Sequence, residues 1–460
     1  MENRHLVQLR SGGTLTTAQQ LSLIISLSIP AILSQLTSVV MEYIDAAMVG
    51  ALGANASASI GLMSSSMWLI WGLCFAAATG FSVQVAHRVG AGDEEGARST
   101  VRHGMATLLV FSCLIALICF LIGKKLPVWL GGNPDITADA SVYFMIYIVF
   151  LPISQLRMVS GSMLQNSGNM KIPSTLNILT CFLDVFFNYL MIFPTRSVSI
   201  GNAVFRMPGA GLGVAGAAAG TVISETVCAA FMFFFLNRRF RLFDGAHQHG
   251  SYLGEMKRAL QISLPLCMEQ IVTNGAQVAF TRIVAPLGTI AIAAHSFSVT
   301  AESVCYMPGY GIAAAATALI GQSTGAGRKD LTKKLGYLTL GFGIAVQTLM
   351  GLLLFVGAPA MIGILTPDAA VRRLGTQVLR IEAFAEPLFA ASIIVNGVFR
   401  GAGKTLVPSL LNFLSMWLIR IPLSALLAPH FGLPGVWAVM CAELCIRGGL
   451  FLVWMRREYH

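Results

Sequence analysis

Twelve stretches of predominantly apolar residues follow one another along this chain, at approximately 18–45, 57–82, 99–123, 138–159, 172–194, 212–236, 257–285, 293–320, 335–358, 374–396, 407–428 and 434–455. A run of about 20 such residues crosses the hydrocarbon of a bilayer as an α-helix. These runs are too long for barrel strands, and they lack the alternation of lipid-facing and inward-facing residues that strands require. They predict an all-α polytopic membrane protein with twelve transmembrane helices. Composition agrees, since 55% of the 460 residues are hydrophobic and 11% are charged, against about 25% charged in a soluble domain. So few polar side chains do not cover a water-facing surface.

The net charge of +10 has a topological explanation. Nineteen of the 30 Lys and Arg fall on the side of the two termini, six on the other (124, 125, 196, 206, 372 and 373), and five (157, 282, 380, 420 and 447) in or at the edge of spans. Short cytoplasmic loops carry the excess of Lys and Arg, so both termini are expected in the cytoplasm. No nucleic-acid partner is expected. The nine cysteines all lie in apolar segments, without a CxxC pair. Neither a disulfide framework nor a zinc site is expected from them. The first twenty residues are polar and lack a small-residue cleavage pattern, so no removable signal peptide is expected.

Shifted by 235 residues, the chain pairs with itself. "SIPAILSQ" (28–35) meets "SLPLCMEQ" (263–270), "ALGANASA" (51–58) meets "PLGTIAIA" (286–293), and "VGAGDEEGAR" (89–98) meets "TGAGRKDLTK" (324–333). Pro152 meets Pro387, and "SGNMKIPSTLN" (167–177) meets "AGKTLVPSLLN" (402–412). The register holds without a gap from Ser28 to Asn177. This divides the chain into an N-lobe (1–236), a polar cytoplasmic linker (237–256) and a C-lobe (257–460). Each lobe carries six helices, and an even number inserts both lobes the same way. Such parallel repeats are a transporter architecture, with the substrate path between the lobes. No filter or ring of pore charges suggests a channel. "GVFRGAGKT" (397–405) has Val398 where a phosphate loop requires Gly. "GAGLGVAG" (209–216) follows an external loop and opens a membrane span, with no strand expected before it, so neither is read as a nucleotide motif.

With these motifs in view, the chain resembles the MATE family of multidrug and toxic-compound extrusion antiporters. The resemblance is carried by Pro30 with Asp45 and "MVGALG" (48–53), "VGAG" (89–92), "GNMKIPSTLNILTCFLD" (168–184), "AAH" (293–295), "PGYGIAAAATALIGQSTGAG" (308–327) and "GVFRGAGKTLVPSLLN" (397–412). It covers nearly the whole chain. It implies a monomeric antiporter of the cell inner membrane that exports small organic, often cationic, compounds by rocking alternating access. The driving ion is H+ or Na+, with no other cofactor and no enzymatic activity. Flippases of lipid-linked saccharides belong to the same superfamily and are the nearest alternative. A basic cavity would favour them, whereas acids outnumber basic groups inside these spans.

Carboxylates inside a bilayer are costly and by default mark ion or substrate paths. At the 235 offset Asp45 meets Phe280, and Asp184 meets Ile419. Both acids were therefore placed in one half only, which separates them from the shared scaffold. Asp184 has Asn177 at i−7 and Asn188 at i+4 on the same helix face. Facing one cavity, two carboxylates repel each other, and a bound cation relieves that repulsion. The resemblance carries Asp45 and Asp184 over as the cation-coupling pair, with Asn177 and Thr221 beside them, and Na+ is the one metal ion expected there. Glu42, Glu269, Glu302 and Glu386 are expected to line the substrate cleft. Glu382 is a further acid of the second half, while acids of related bacterial members fall near Thr273 and Phe389. Glu225 and Glu443 lie at comparable places in the two lobes and are expected to be structural. His295 is expected to be packed rather than functional.

Overall fold

The computed structural model of the chain describes residues 4–11, 13–200, 203–244 and 251–459, with backbone alone between 196 and 207. The side chains of Arg196 and Arg206, and linker residues 245–250, lie outside the described residues. A short helix, α1 (Arg4–Arg10), precedes α2 (Thr17–Gly50). The start of α2 is a capping box, in which Thr16 accepts from the Gln19 amide and Gln19 reaches back to the Thr16 amide. Next come α3 (Ala54–Gly90), α4 (Glu94–Ile122), the single turn α5 (Leu126–Trp129), α6 (Pro134–Asn166) and α7 (Lys171–Ile192). A hairpin of β1 (Pro194–Ile200) and β2 (Ala203–Ala210), antiparallel, leads into α8 (Gly213–Phe240).

The second half comprises α9 (Tyr252–Val284), α10 (Thr289–Gly325), α11 (Lys329–Leu365) and a span broken into α12 (Ala369–Glu382) and α13 (Glu386–Gly401). It ends with α14 (Leu406–Leu414), a π-helical turn at Ser415–Arg420, and α15 (Ile421–Tyr459), which is interrupted at Gly432. Among the described residues, nine helical runs have the length and apolarity to cross a bilayer, with Leu406–Tyr459 counted once. Dividing that run at Gly432, and adding α9 and the broken α12–α13 span, gives the twelve crossings expected from the sequence. Helices α8 and α9 extend into the segment read as linker, so the connection between them is shorter than 237–256.

The repeat is visible in the backbone. Gly53, Gly92 and Gly168 have φ of +111°, +75° and +95°, and their partners Gly288, Gly327 and Gly403 have +99°, +70° and +75°. Only glycine adopts such values without strain, so one letter at each position terminates or starts a helix in both lobes. Helix starts obey the same offset: α3 with α10, α4 with α11, α6 with α12, and α7 with α14. The register fails after α7 because the N-lobe alone inserts the β-hairpin. Other partners diverge. Pro152 lies inside a continuous α6, whereas Pro387 opens α13 after the break at 383–385.

Burial sorts the helices into layers. In their most apolar windows α3 and α10 are 67% and 72% buried, whereas α4 and α11 are both 22% buried. The first pair is the centre of the molecule, and the second meets lipid with side chains such as Leu117, Leu121, Leu352 and Val356. Lobe meets lobe where α2 packs on α10 and α3 on α9.

Candidate functional site: a carboxylate pair bridged by one amide

Three helices of the N-lobe converge on one side chain. The Asn188 Nδ2 of α7 donates to Asp45 Oδ1 of α2 at 3.0 Å and to Asp184 Oδ2, one turn back on α7, also at 3.0 Å. Thr221 Oγ1 of α8 stands 3.4 Å from the same nitrogen. Ser224 Oγ completes the group by donating to Asp184 Oδ1 at 3.3 Å. Asp184, Ser224 and Asn188 are at most 1% exposed, and Tyr143 and Tyr147 of α6 close the other side.

Close approach of α7 and α8 is what seats Asn188. A Cβ at Gly220 would stand 2.2 Å from Asn188 Oδ1 and 2.7 Å from its backbone nitrogen, and one at Gly216 would stand 2.4 Å from Met191 O. Gly216 and Gly220 thus form a small-xxx-small face that lets two backbones touch, as membrane helices often do. The Asn188 Oδ1 pressed against Gly220 has no hydrogen-bond partner although buried. The donor set around the pair is two carboxylates, one amide and two hydroxyls. Hard oxygens of this kind suit a proton or a hard monovalent cation, and no soft ligand is among them.

Asn177 does not join this group. Seven residues are two helical turns, about 10 Å along the axis, and its Oδ1 accepts from Arg157 Nη1 at 3.1 Å. Arg157 Nη2 also donates to Glu225 at 2.8 Å, and Ser154 donates to the other oxygen of Glu225. Its offset partner Asn412 plays a comparable part in the C-lobe, donating to Glu269 at 2.6 Å. Glu269 also accepts from Ser409 at 2.7 Å and from Asn396 at 3.3 Å.

Between the lobes lies a cavity of about 670 Å³. Of the four acids expected in the cleft, Glu269 is on its wall. Glu302 and Glu386 are corrected to the C-lobe interior, 6% and 1% exposed, where Gln347 donates to Glu386 at 2.8 Å. Glu386 sits behind the wall with Glu382 at the break between α12 and α13, whereas Glu302 is buried on α10. Glu42 is exposed on α2 and is also absent from the wall. The charges that do line the cavity are balanced: Asp184, Glu225 and Glu269 against Arg157, Arg400 and Arg447. The excess of acids expected inside the spans therefore does not hold at this surface.

Sequence reasoning placed Arg400 in a cytoplasmic loop, but α13 continues through it and turns it to the cavity. Ser224, Tyr147 and Gly220 were also missed. Ser224 lies one turn from Thr221, and the "GAAAG" of 216–220 signals the tight contact. Glu443 binds Arg420 at 2.6 Å and Arg447 at 3.3 Å, so it is structural, as is the Arg157-bound Glu225. His295 accepts from Trp437 Nε1 at 3.3 Å and packs against Phe280. Aromatic packing thus fills the C-lobe corner that corresponds to Asp45.

Two six-helix lobes around a polar cleft define a membrane transporter. The profile of the MatE family matches residues 30–190 and 265–426, one match in each lobe. The chain belongs to this family of MATE transporters. It is 26% identical over 436 residues to a probable multidrug resistance protein NorM of Thermotoga maritima, covering 94% of this chain and 91% of that protein. The fold superposes with a TM-score of 0.85 on a Vibrio cholerae MATE transporter, VcmN, in its bent form. Identity there is 19%, with 96% of this chain and 98% of that one covered. A transporter of the MOP superfamily from Pyrococcus furiosus, described as having a binding pocket of reverse polarity, gives 0.88 at 18% identity, with 100% and 98% covered.

Proposed function

We propose that the chain is a secondary active antiporter that exports small organic compounds in exchange for H+ or Na+ held between Asp45 and Asp184. The single amide of Asn188 donating to both carboxylates is the observation that carries this reading. In this arrangement one group senses both acids. A cation that enters the pair competes with the amide, and α2, α7 and α8 move together as it comes and goes. Related proteins named for multidrug resistance support export of drug-like compounds. The distribution of Lys and Arg supports cytoplasmic termini in a cell inner membrane, and the lobes 1–236 and 257–460 are the bodies that rock. A monomer suffices, since one chain supplies both lobes and the cleft.

The flippase reading remains the second choice, and the three arginines on the cavity wall favour it. Export from energised inverted vesicles separates the two. Asp45→Asn is expected to abolish gradient-driven efflux of a fluorescent organic cation while the protein remains folded and inserted. Undiminished efflux in that variant would remove the proposal.

A further inference from the structure

On the cavity wall, Arg157 and Glu225 neutralise each other. The C-lobe lining, Glu269 with Arg400 and Arg447, is not paired off in this way. Arg420 and Arg447 share one carboxylate, that of Glu443, and Glu269 is bound by the neutral donors Ser409, Asn412 and Asn396. Arg400 adds a third guanidinium, which among the described residues makes neither an ion pair nor a hydrogen bond. Its one contact of this kind is with the face of Phe75, 5.3 Å from ring centroid to Cζ. The Nε is buried without a partner, and the residue lines the cavity. Arg447 lies over Phe389 at 5.7 Å, likewise on the wall.

A guanidinium stacked on a ring has its face covered and its edge free, and that edge matches a carboxylate bidentately. An unpaired cation in a low-dielectric cleft is costly until an anion arrives. Beside it the wall is aromatic: Trp68 and Phe75 are 50% and 38% exposed, and both line the cavity. We infer that the substrates of this cleft are amphoteric aromatic compounds whose anionic group is received by Arg400, supported by Arg447, with the ring system against Trp68 and Phe75. This deepens, and rests on, the antiporter reading. A prenyl diphosphate offers the same anionic chemistry, but it would leave the exposed aromatic wall without a planar partner.

The test compares two probes that differ only at the anion, tetramethylrhodamine free acid and its methyl ester. Binding to the full chain in detergent is measured by fluorescence anisotropy. The acid is expected to bind at least about tenfold tighter than the ester, the scale of one charge-assisted hydrogen-bonded contact. Arg400→Gln should erase that preference, and an unchanged thermal denaturation midpoint in detergent shows that the variant is folded. Arg400→Lys should retain part of the preference. Equal affinities in the unaltered protein, or a preference that persists in Arg400→Gln, overturns the inference. Farnesyl diphosphate displacing the ester and the acid equally well, at lower concentration than either probe binds, overturns the aromatic assignment in favour of a lipid headgroup. Binding in detergent needs no gradient, so failure of cation coupling and failure of this subsite are read separately.

Discussion

Asn188 holds the N-lobe site together because, among the described residues, it is the one donor that serves both acids. Asn188→Ala leaves two carboxylate oxygens without it, at about 1–3 kcal/mol for each buried acceptor that is orphaned. Lower thermal stability and loss of coupled efflux are expected together, the first read by thermal denaturation in detergent. Asn188→Asp, close in volume, should retain stability better at acidic pH, where the added group is protonated and donates. Gly220→Val tests the seat of that amide. Its side chain must enter space 2.2 Å from Asn188 Oδ1, and overpacking of this kind costs about 1–3 kcal/mol. If Gly220→Val exports at the unaltered rate, the seating described for Asn188 is wrong. Asp45 and Asp184 were legible in the sequence because the repeat supplied an uncharged partner for each. Asn177 was misread because residues seven apart share a face but not a height on it. Arg400 was misread because the length of α13 decides whether it lies in a loop or on the cavity wall.

At the scale of elements, α1 joins the lobes at one end of the molecule. Leu6 and Leu9 are fully buried among α2, α10, α11 and Met170. Arg10 donates to Gln322 Oε1 of α10 at 3.0 Å and to Ser167 O, after α6, at 2.9 Å. Replacing both leucines by Asp should loosen this end. With Thr405→Cys as the sole cysteine, its labelling by a membrane-impermeant maleimide is expected to rise several-fold over the protein with an intact α1. The Thr405 side chain is 2% exposed and donates to Ile262 O of its own lobe, two residues from Gly403, whose added Cβ would stand 3.5 Å from His87 Cε1 of the N-lobe. Labelling that does not change would show that α1 leaves the closure untouched. Helix positions and the repeat were legible from apolar length and from Gly and Pro. The β-hairpin after α7 and the break between α12 and α13 were not. The hairpin was concealed by its mixed composition, and the break by an apolar run that reads continuously as one span.

For the whole molecule, the repeat becomes a contact between lobes. A Cβ at Gly90 would stand 2.1 Å from Gln322 O, and one at Gly325 would stand 1.9 Å from His87 O. Gly90 and Gly325 are offset partners, and so are His87 and Gln322. Helices α3 and α10 therefore cross through one contact made twice, by equivalent residues. Such a seam would close or open as a unit, which suits the proposed rocking of the two lobes. Gly90→Val with Gly325→Val should oppose its closure, lowering gradient-driven efflux while substrate binding in detergent persists.

The proposed exchange requires that substrate and cation displace one another through the N-lobe pair, and that is measurable without transport. A saturating amphoteric substrate is added to the purified chain in lightly buffered detergent, and released H+ and previously bound Na+ are counted in parallel. Release of one of the two ions is expected, and its loss in Asp45→Asn with Asp184→Asn while the substrate still binds. Release of neither ion from the unaltered chain, or undiminished release from the double variant, would contradict the assignment of the coupling ion to Asp45 and Asp184.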